Sequence, residues 1–332
     1  MKILAGLLFI VSCCGFPALA EEVIVYTSLD QVYSEPVLQE FERRSGIKVK
    51  TAYDVEASKT TGLVNRLIAE KKYPKADVFW NSEIGRTLVL KKRGVLSPYV
   101  SPSSKSIPER FKDPEGYWTG FAARARVLIV NTQLIKSGEV PKSIFELTQA
   151  KWQGKAVMGY PLFGTTSTHV AALFALLGED QAKRYLTDLH KNKILIVDGN
   201  AVARDMVALG DASVGFTDTD DVYVALKSKK NVAMIFPDQE SIGTLLIPNT
   251  VSLINGAPHP DAAKQLIDFL LSEEVESLLA FSDSMQIPVR EHVKKPDHVP
   301  SLSALHTMTV DYQVVADQME RAFIFSRQLF SR

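Results

Sequence analysis

The chain has 332 residues, 38 basic against 38 acidic side chains, and a hydrophobic fraction of 46%. A formal charge of zero, with no stripe of Lys and Arg interleaved with aromatics, excludes nucleic acid as a natural partner. The two cysteines, Cys13 and Cys14, are adjacent and N-terminal, which excludes a disulfide framework or a Cys-based zinc site in the body of the chain. Residues 1–20 read as an export signal: Lys2, an apolar run over 3–11, and the small-x-small pattern Ala18-Leu19-Ala20 before Glu21. That run is too short to span a bilayer. Ile10-Val11-Ser12-Cys13 also resembles a lipoprotein processing box, but the cut after Ala20 is the fuller match and predicts a periplasmic product without a lipid anchor at Cys13. The remainder, about 310 residues, is long enough for two domains.

From there strand and helix signals alternate, which predicts an α/β architecture with largely parallel sheets. Residues 23–26 form a compact strand, followed by a helix opened by Ser34, with Pro36 in its first turn and Gly46 as its stop. Residues 47–53 alternate like a strand. Leu63, Val64, Leu67 and Ile68 have helical spacing, residues 76–80 read as a third strand, and 84–93 as a helix ended by Gly94. Between 97 and 116 the composition turns to Pro, Ser and Lys, predicting a surface excursion. Residues 127–130 are a buried strand and a candidate crossing between lobes, and 156–160 another strand. The hydroxyl-rich run 164–168 opens an apolar helix over 170–177. Residues 194–197, 213–216 and 232–236 complete a second strand set, 250–254 return to the first lobe, 262–271 are an amphipathic helix, and the tail from Asp311 is helical.

In open α/β sheets ligands collect at the carboxyl ends of strands. Four loops have that position and polarity: 27–30 with Ser28 and Asp30, 81–83 with Ser82 and Glu83, 164–169, and 217–221. Thr165, Thr166, Ser167 and Thr168 at a helix start suit an anion, because the first N–H groups are unpaired and the dipole adds positive charge. A plain N-cap needs fewer hydroxyls than this. Arg124 and Arg126 alternate on a strand, so both face one side and either can pair with a bound anion. Asp218, Asp220 and Asp221 crowd three carboxylates into four residues. Two of them at about 4 Å repel by about 4 kcal/mol at an effective dielectric near 20, which is tolerated on a wet surface or around a cation. An EF-hand is excluded, since Tyr223 and Lys229 stand where that loop needs Gly and Glu. Asn200 completes the ligand-facing set. His169 is the one histidine in these loops, and no nucleophile elbow, P-loop or dinucleotide fingerprint is present, so an enzyme is not expected.

Several stretches together resemble a known family. These are Val25-Tyr26-Thr27-Ser28, residues 41–49 (FERRSGIKV), Ala76-Asp77-Val78-Phe79-Trp80, residues 120–131 (GFAARARVLIVN), Lys151-Trp152-Gln153-Gly154-Lys155, and 260–271. They are similar to the ferric-iron-type periplasmic solute-binding proteins of ABC importers. The resemblance implies an α/β type II periplasmic-binding-protein fold, two lobes joined by crossing strands with the ligand cleft between them. It places lobe 1 at 21–123 plus 248–295 and lobe 2 at 124–247 plus 296–332. It implies a monomer that delivers its ligand to an inner-membrane ABC permease, with ferric iron as transported ligand rather than cofactor, and a bound anion beside it. The family's adjacent ligand tyrosines fall on Asp220 and Asp221, and its first-loop His on Asp30, so carboxylates replace both. Its anion loop and arginine match at 164–168 and at Arg124 or Arg126. Relatives in the same branch bind phosphorylated solutes, phosphonates or amines. Those ligands, and a ligand-sensing role in the periplasm, are the alternatives to iron capture.

Overall fold

The structure, a computed structural model, describes residues 21–54 and 61–331. The expected export signal and Cys13 lie outside the described residues. Ten strands form one sheet, eight of them along the path β2-β1-β3-β10-β5-β8-β6-β7, with β4 paired to β10 and β9 to β5 off that path. The first half holds β1 (Glu22–Thr27), β2 (Lys48–Tyr53), β3 (Val78–Asn81) and the short β4 (Leu96–Ser97). The second holds β6 (Ala156–Gly159), β7 (Leu195–Val197), β8 (Val214–Asp218) and β9 (Val232–Ile235).

Two long strands connect them. β5 (Thr119–Asn131) is buried at all thirteen positions and β10 (Leu246–Ile254) at all nine. β5 pairs with β10 through Ala125 and with β8 from Arg126 onward. The expectation of largely parallel sheets holds only within each half, where β1/β2, β1/β3, β6/β7 and β6/β8 are parallel. The crossing strands run antiparallel to their neighbours β3, β8 and β9, and to each other. A strand that carries the chain across a junction is not bound by the βαβ crossover that makes neighbours parallel.

Helices cover the sheet. α1 (Gln31–Ser45), α2 (Thr61–Ala69), α3 (Ile84–Lys92), α8 (Pro260–Leu270) and α9 (Glu273–Phe281) belong with the first strands. α4 (Gly164–Leu177), α5 (Glu179–Lys191), α6 (Asn200–Leu209) and α7 (Thr219–Lys227) belong with the second. The last helix, α10 (Tyr312–Leu329), packs mainly on α4 and also touches α3 and α5. One core cluster takes in Val25, Phe41, Trp80, Phe121 and Leu266 and continues through Ala125 and Val127 to Val207. A second gathers Leu173, Phe174, Phe216, Val315 and Met319.

Two local expectations differ. α1 starts a turn early, capped by Asp30, whose carbonyl accepts from the amides of Tyr33 and Ser34, so Pro36 sits inside the helix. The 97–116 excursion is anchored, with Ile107 and Phe111 in the core and two 3₁₀ turns between Pro102 and Phe111. Its apolar pair is what the composition rule overlooked.

Candidate functional site

Where the strand ends of the two halves meet, a cavity of about 110 Å³ is lined by residues from both. By the roughly 10–15 Å³ that one water needs, it holds several waters' worth of space. β1 and α1 contribute Asp30 and Tyr33, and β3 contributes Ser82 just past its end. Arg124 projects from β5. β6 and the start of α4 bring Gly159, Tyr160, Phe163, Gly164, Thr165 and Thr166. The N-terminus of α6 adds Asp198, Gly199, Asn200 and Ala201, with Arg204 a turn later, and the first turn of α7 adds Asp220 and Asp221.

The base of this site is a sealed charge network. Asp218, fully buried at the end of β8, binds Arg126 at 2.6 Å and Arg124 at 3.1 Å, and accepts from Thr165 Oγ1 at 2.7 Å and Asn200 Nδ2 at 3.0 Å. Burial raises its pKa, but Arg126 and Arg124 outweigh that and hold it below the usual carboxylate value. Arg126 also donates to Thr165 and Thr166 and lies 4.2 Å over the Phe216 ring. Gly159 lets these parts approach: a Cβ there would stand 3.2 Å from Asn200 Oδ1 and 3.3 Å from Thr166 Oγ1.

Above that base the cavity itself is acidic, four carboxylates (Asp30, Asp198, Asp220, Asp221) against two guanidiniums (Arg124, Arg204). Asp221 accepts from Thr217 Oγ1 at 2.7 Å, and Arg204 Nη1 lies 3.6 Å from it. Burial first, then Asp220 and Asp218, push its pKa up to about 8 despite Thr217 and Arg204. The Tyr33 phenol is pushed up to about 12 by burial and by Asp220, Asp30 and Asp221. Asp218, Asp220 and Asp221 each offer an oxygen within 4.8 Å of the others. With Asp218 committed to two arginines, Asp220 and Asp221 are the members that face the cavity.

Arg124 crosses between the halves. Its Nη2 donates to the Ser82 carbonyl at 2.7 Å, while Nη1 meets Asp218 and Asp220 at 3.1 and 3.3 Å. Burial works against its charge, yet Asp220 and Asp218 raise its pKa. Positive potential also comes from backbone. α4 and α6 start at Phe163 and Gly199 with no side-chain cap, so their first N–H groups lack partners within the helix and lie at the cavity wall. Gly164 takes a left-handed φ of 54°, which a side chain would strain.

Eight of the expected residues therefore line one cavity: Asp30, Ser82, Arg124, Thr165, Thr166, Asn200, Asp220 and Asp221. Six are placed elsewhere. Ser28 donates to Asn81 at 2.6 Å, and Glu83 caps α3 through the amides of Gly85 and Arg86. Thr168 donates to Glu83 at 2.6 Å, Ser167 is buried in α4, and Arg126 with Asp218 forms the base. Three of the four hydroxyls serve buried side chains rather than a cap: Thr165 bonds Asp218 and Arg126, Thr166 bonds Arg126, and Thr168 bonds Glu83. Tyr33, Tyr160, Asp198 and Arg204 also line the cavity and are not among the expected residues; residues 200–209 are not read as a helix from the sequence, and α1 begins a turn before Ser34.

Residues 74–314 match the family described as bacterial extracellular solute-binding protein. The chain is 26% identical over 283 residues to iron uptake protein A1 of Synechocystis, covering 82% of this chain and 77% of that one. It superposes on iron-bound HitA of Pseudomonas aeruginosa with a TM-score of 0.84 at 22% identity, over 93% of this chain and 99% of that one. It superposes on AfuA of Actinobacillus pleuropneumoniae, with fructose-6-phosphate bound, at a TM-score of 0.82 and 23% identity, over 93% and 98% of the two chains. These likenesses are to the two-lobed periplasmic-binding fold.

Proposed function

We propose that this chain, which belongs to the bacterial extracellular solute-binding protein family, captures ferric iron with a small anion in the periplasm and presents it to an ABC permease. The observation that carries the reading is the charge of the cavity. Four carboxyl groups face two guanidiniums, and the crowding that pushes the Asp221 pKa up to about 8 is what a multiply charged hard cation relieves. Asp220, Asp221 and Asp30 are the oxygen donors, with Tyr33 and Tyr160 as phenols within the same lining. The N-termini of α4 and α6 and the Arg124 guanidinium suit the accompanying anion. Names among the relatives agree, iron uptake protein A1 being one.

The lobes are taken as 21–123 with 248–295 and 124–247 with 296–332, the strands crossing between them being β5 and β10. Residues 1–20 act as the export signal, and no described helix is long and apolar enough to cross a membrane. The match to a solute-binding family supports binding as the assigned role.

A second reading, a compact phosphorylated solute, is favoured by the two uncapped helix N-termini, and AfuA is a structural neighbour with a sugar phosphate bound. Calorimetric titration separates them. Ferric citrate should bind the wild type and lose about tenfold or more in affinity in Asp220→Asn and Asp221→Asn, since each removes one charge-assisted contact. Binding of fructose 6-phosphate but not ferric citrate, unaffected by either change, overturns the iron assignment.

A further inference from the structure

Five non-glycine residues among the described ones take a positive φ, and Ala122, at 40°, is the one that lies within a strand. Its Cβ makes the left-handed region unfavourable, by roughly an order of magnitude in population. The neighbours do not hold it through the sheet. Phe121 pairs with Asn249 and Ala123 with Pro248, and the register shifts between Pro248 and Asn249, so Ala122 has no partner in the ladder.

Side chains hold it instead. Its N–H donates to Glu276 Oε1 at 2.9 Å, and its carbonyl accepts from Asn249 Nδ2. Glu276 is fully buried and fixed by Arg290 at 2.7 Å, and Asn249 is fixed by Gln286 at 2.8 Å. Ala123 exchanges two backbone bonds with Ile287, close to Met285, itself at φ 44°. Backbone strain thus sits in β5 at Ala122, opposite the register shift of β10, and again at Met285 in the segment bonded to β5, over-determined by buried partners.

That stretch of β5 is also where the two halves meet. Two residues on, Arg124 bridges the Ser82 carbonyl to Asp218 and Asp220. The walls touch again through Thr168 to Glu83 at 2.6 Å and Arg86 to the Leu162 carbonyl at 3.2 Å. These contacts tie the two walls together across the cavity.

We propose that Ala122 is a loaded hinge, its left-handed φ belonging to the closed arrangement and relaxing when the lobes part. The idea rests on the reading of the cavity as a capture site that opens and closes. Strain at Ala122 then favours opening and release, and bound cargo holds it against that bias. Glu276 and Asn249 are positioning residues that define the axis.

Small-angle scattering on Ala122→Gly and Ala122→Ser, each without cargo, tests this. Glycine removes the penalty for φ > 0, and serine keeps the Cβ and hence the bias. The cargo-free radius of gyration of Ala122→Gly should fall toward the cargo-loaded value, while Ala122→Ser stays at the wild-type value. Release of ferric citrate to a chelator should slow about tenfold in the glycine variant only. A glycine variant with the wild-type radius overturns the proposal, as does equal compaction of both variants, which would assign the effect to packing. The scattering outcome is decided among the three cargo-free proteins, by whether the glycine variant alone falls below the wild-type radius, so a wild type that ignores ferric citrate strikes the iron assignment and leaves the hinge measurement standing.

Discussion

Asp218 and Asp221 are three residues apart and do opposite work. Asp218 is buried against two arginines and stays ionised, while Asp221 meets two other carboxylates and is pushed up to about 8. The sequence placed both in one acidic run, because spacing along the chain says nothing about which guanidinium folds over which carboxylate. His169 has a clearer consequence. It is buried, neither ring nitrogen has a protein partner, and its ring packs edge-on against Phe216 at 4.7 Å. Burial first, then Arg126, hold its pKa well below the usual value, with Asp218 only partly opposing them. Its folded-state pKa is depressed, so the unfolded chain binds the proton first as pH falls. The stability it leaves intact above about pH 6.5 is lost on acidification, by up to about 1.4 kcal/mol per pH unit. Urea midpoints at pH 7 and pH 5 should differ in the wild type and converge in His169→Leu. A slope unchanged by the substitution would assign the acid sensitivity to other groups.

Helix starts govern the cleft. α1 was expected at Ser34 because a proline suits a first turn. It begins at Gln31, and the extra turn is what puts Tyr33 into the cavity wall. α7 begins inside the acidic run, so Asp220 and Asp221 stand on a helix and not on a loose loop. α3 shows how tightly such a start is tied to the other half of the molecule. Glu83 accepts from Gly85 N at 2.6 Å, Arg86 N at 2.9 Å and Thr168 Oγ1 at 2.6 Å, with no exposure. Glu83→Ala removes the cap and leaves buried donors without an acceptor, and should lower stability by about 2 kcal/mol. The urea midpoint checks this, and a change within error would mean that water replaces the carboxylate.

The molecule is held as one body by β5, β10 and α10. α10 buries Val315, Met319 and Ala322 against α4 and reaches α3. Removing residues 312–332 should therefore abolish cooperative unfolding, read as loss of a sharp thermal transition, and a truncated chain that melts normally would show α10 to be dispensable. What the sequence by itself determined was the alternation of strands and helices and the loops that carry polar side chains. Those follow from periodicity and from turn residues, which are local: Val23 to Tyr26, Gly46, Gly94 and the stripe of α8 all read correctly. Only tertiary structure decided that Asp218, Arg126, Thr165 and Asn200 close on one another, that Asp198 and Arg204 reach the cavity, and that Ala122 is left-handed. Each of these depends on partners tens of residues away, whose charge and shape reverse what a residue's own neighbours in the chain would favour.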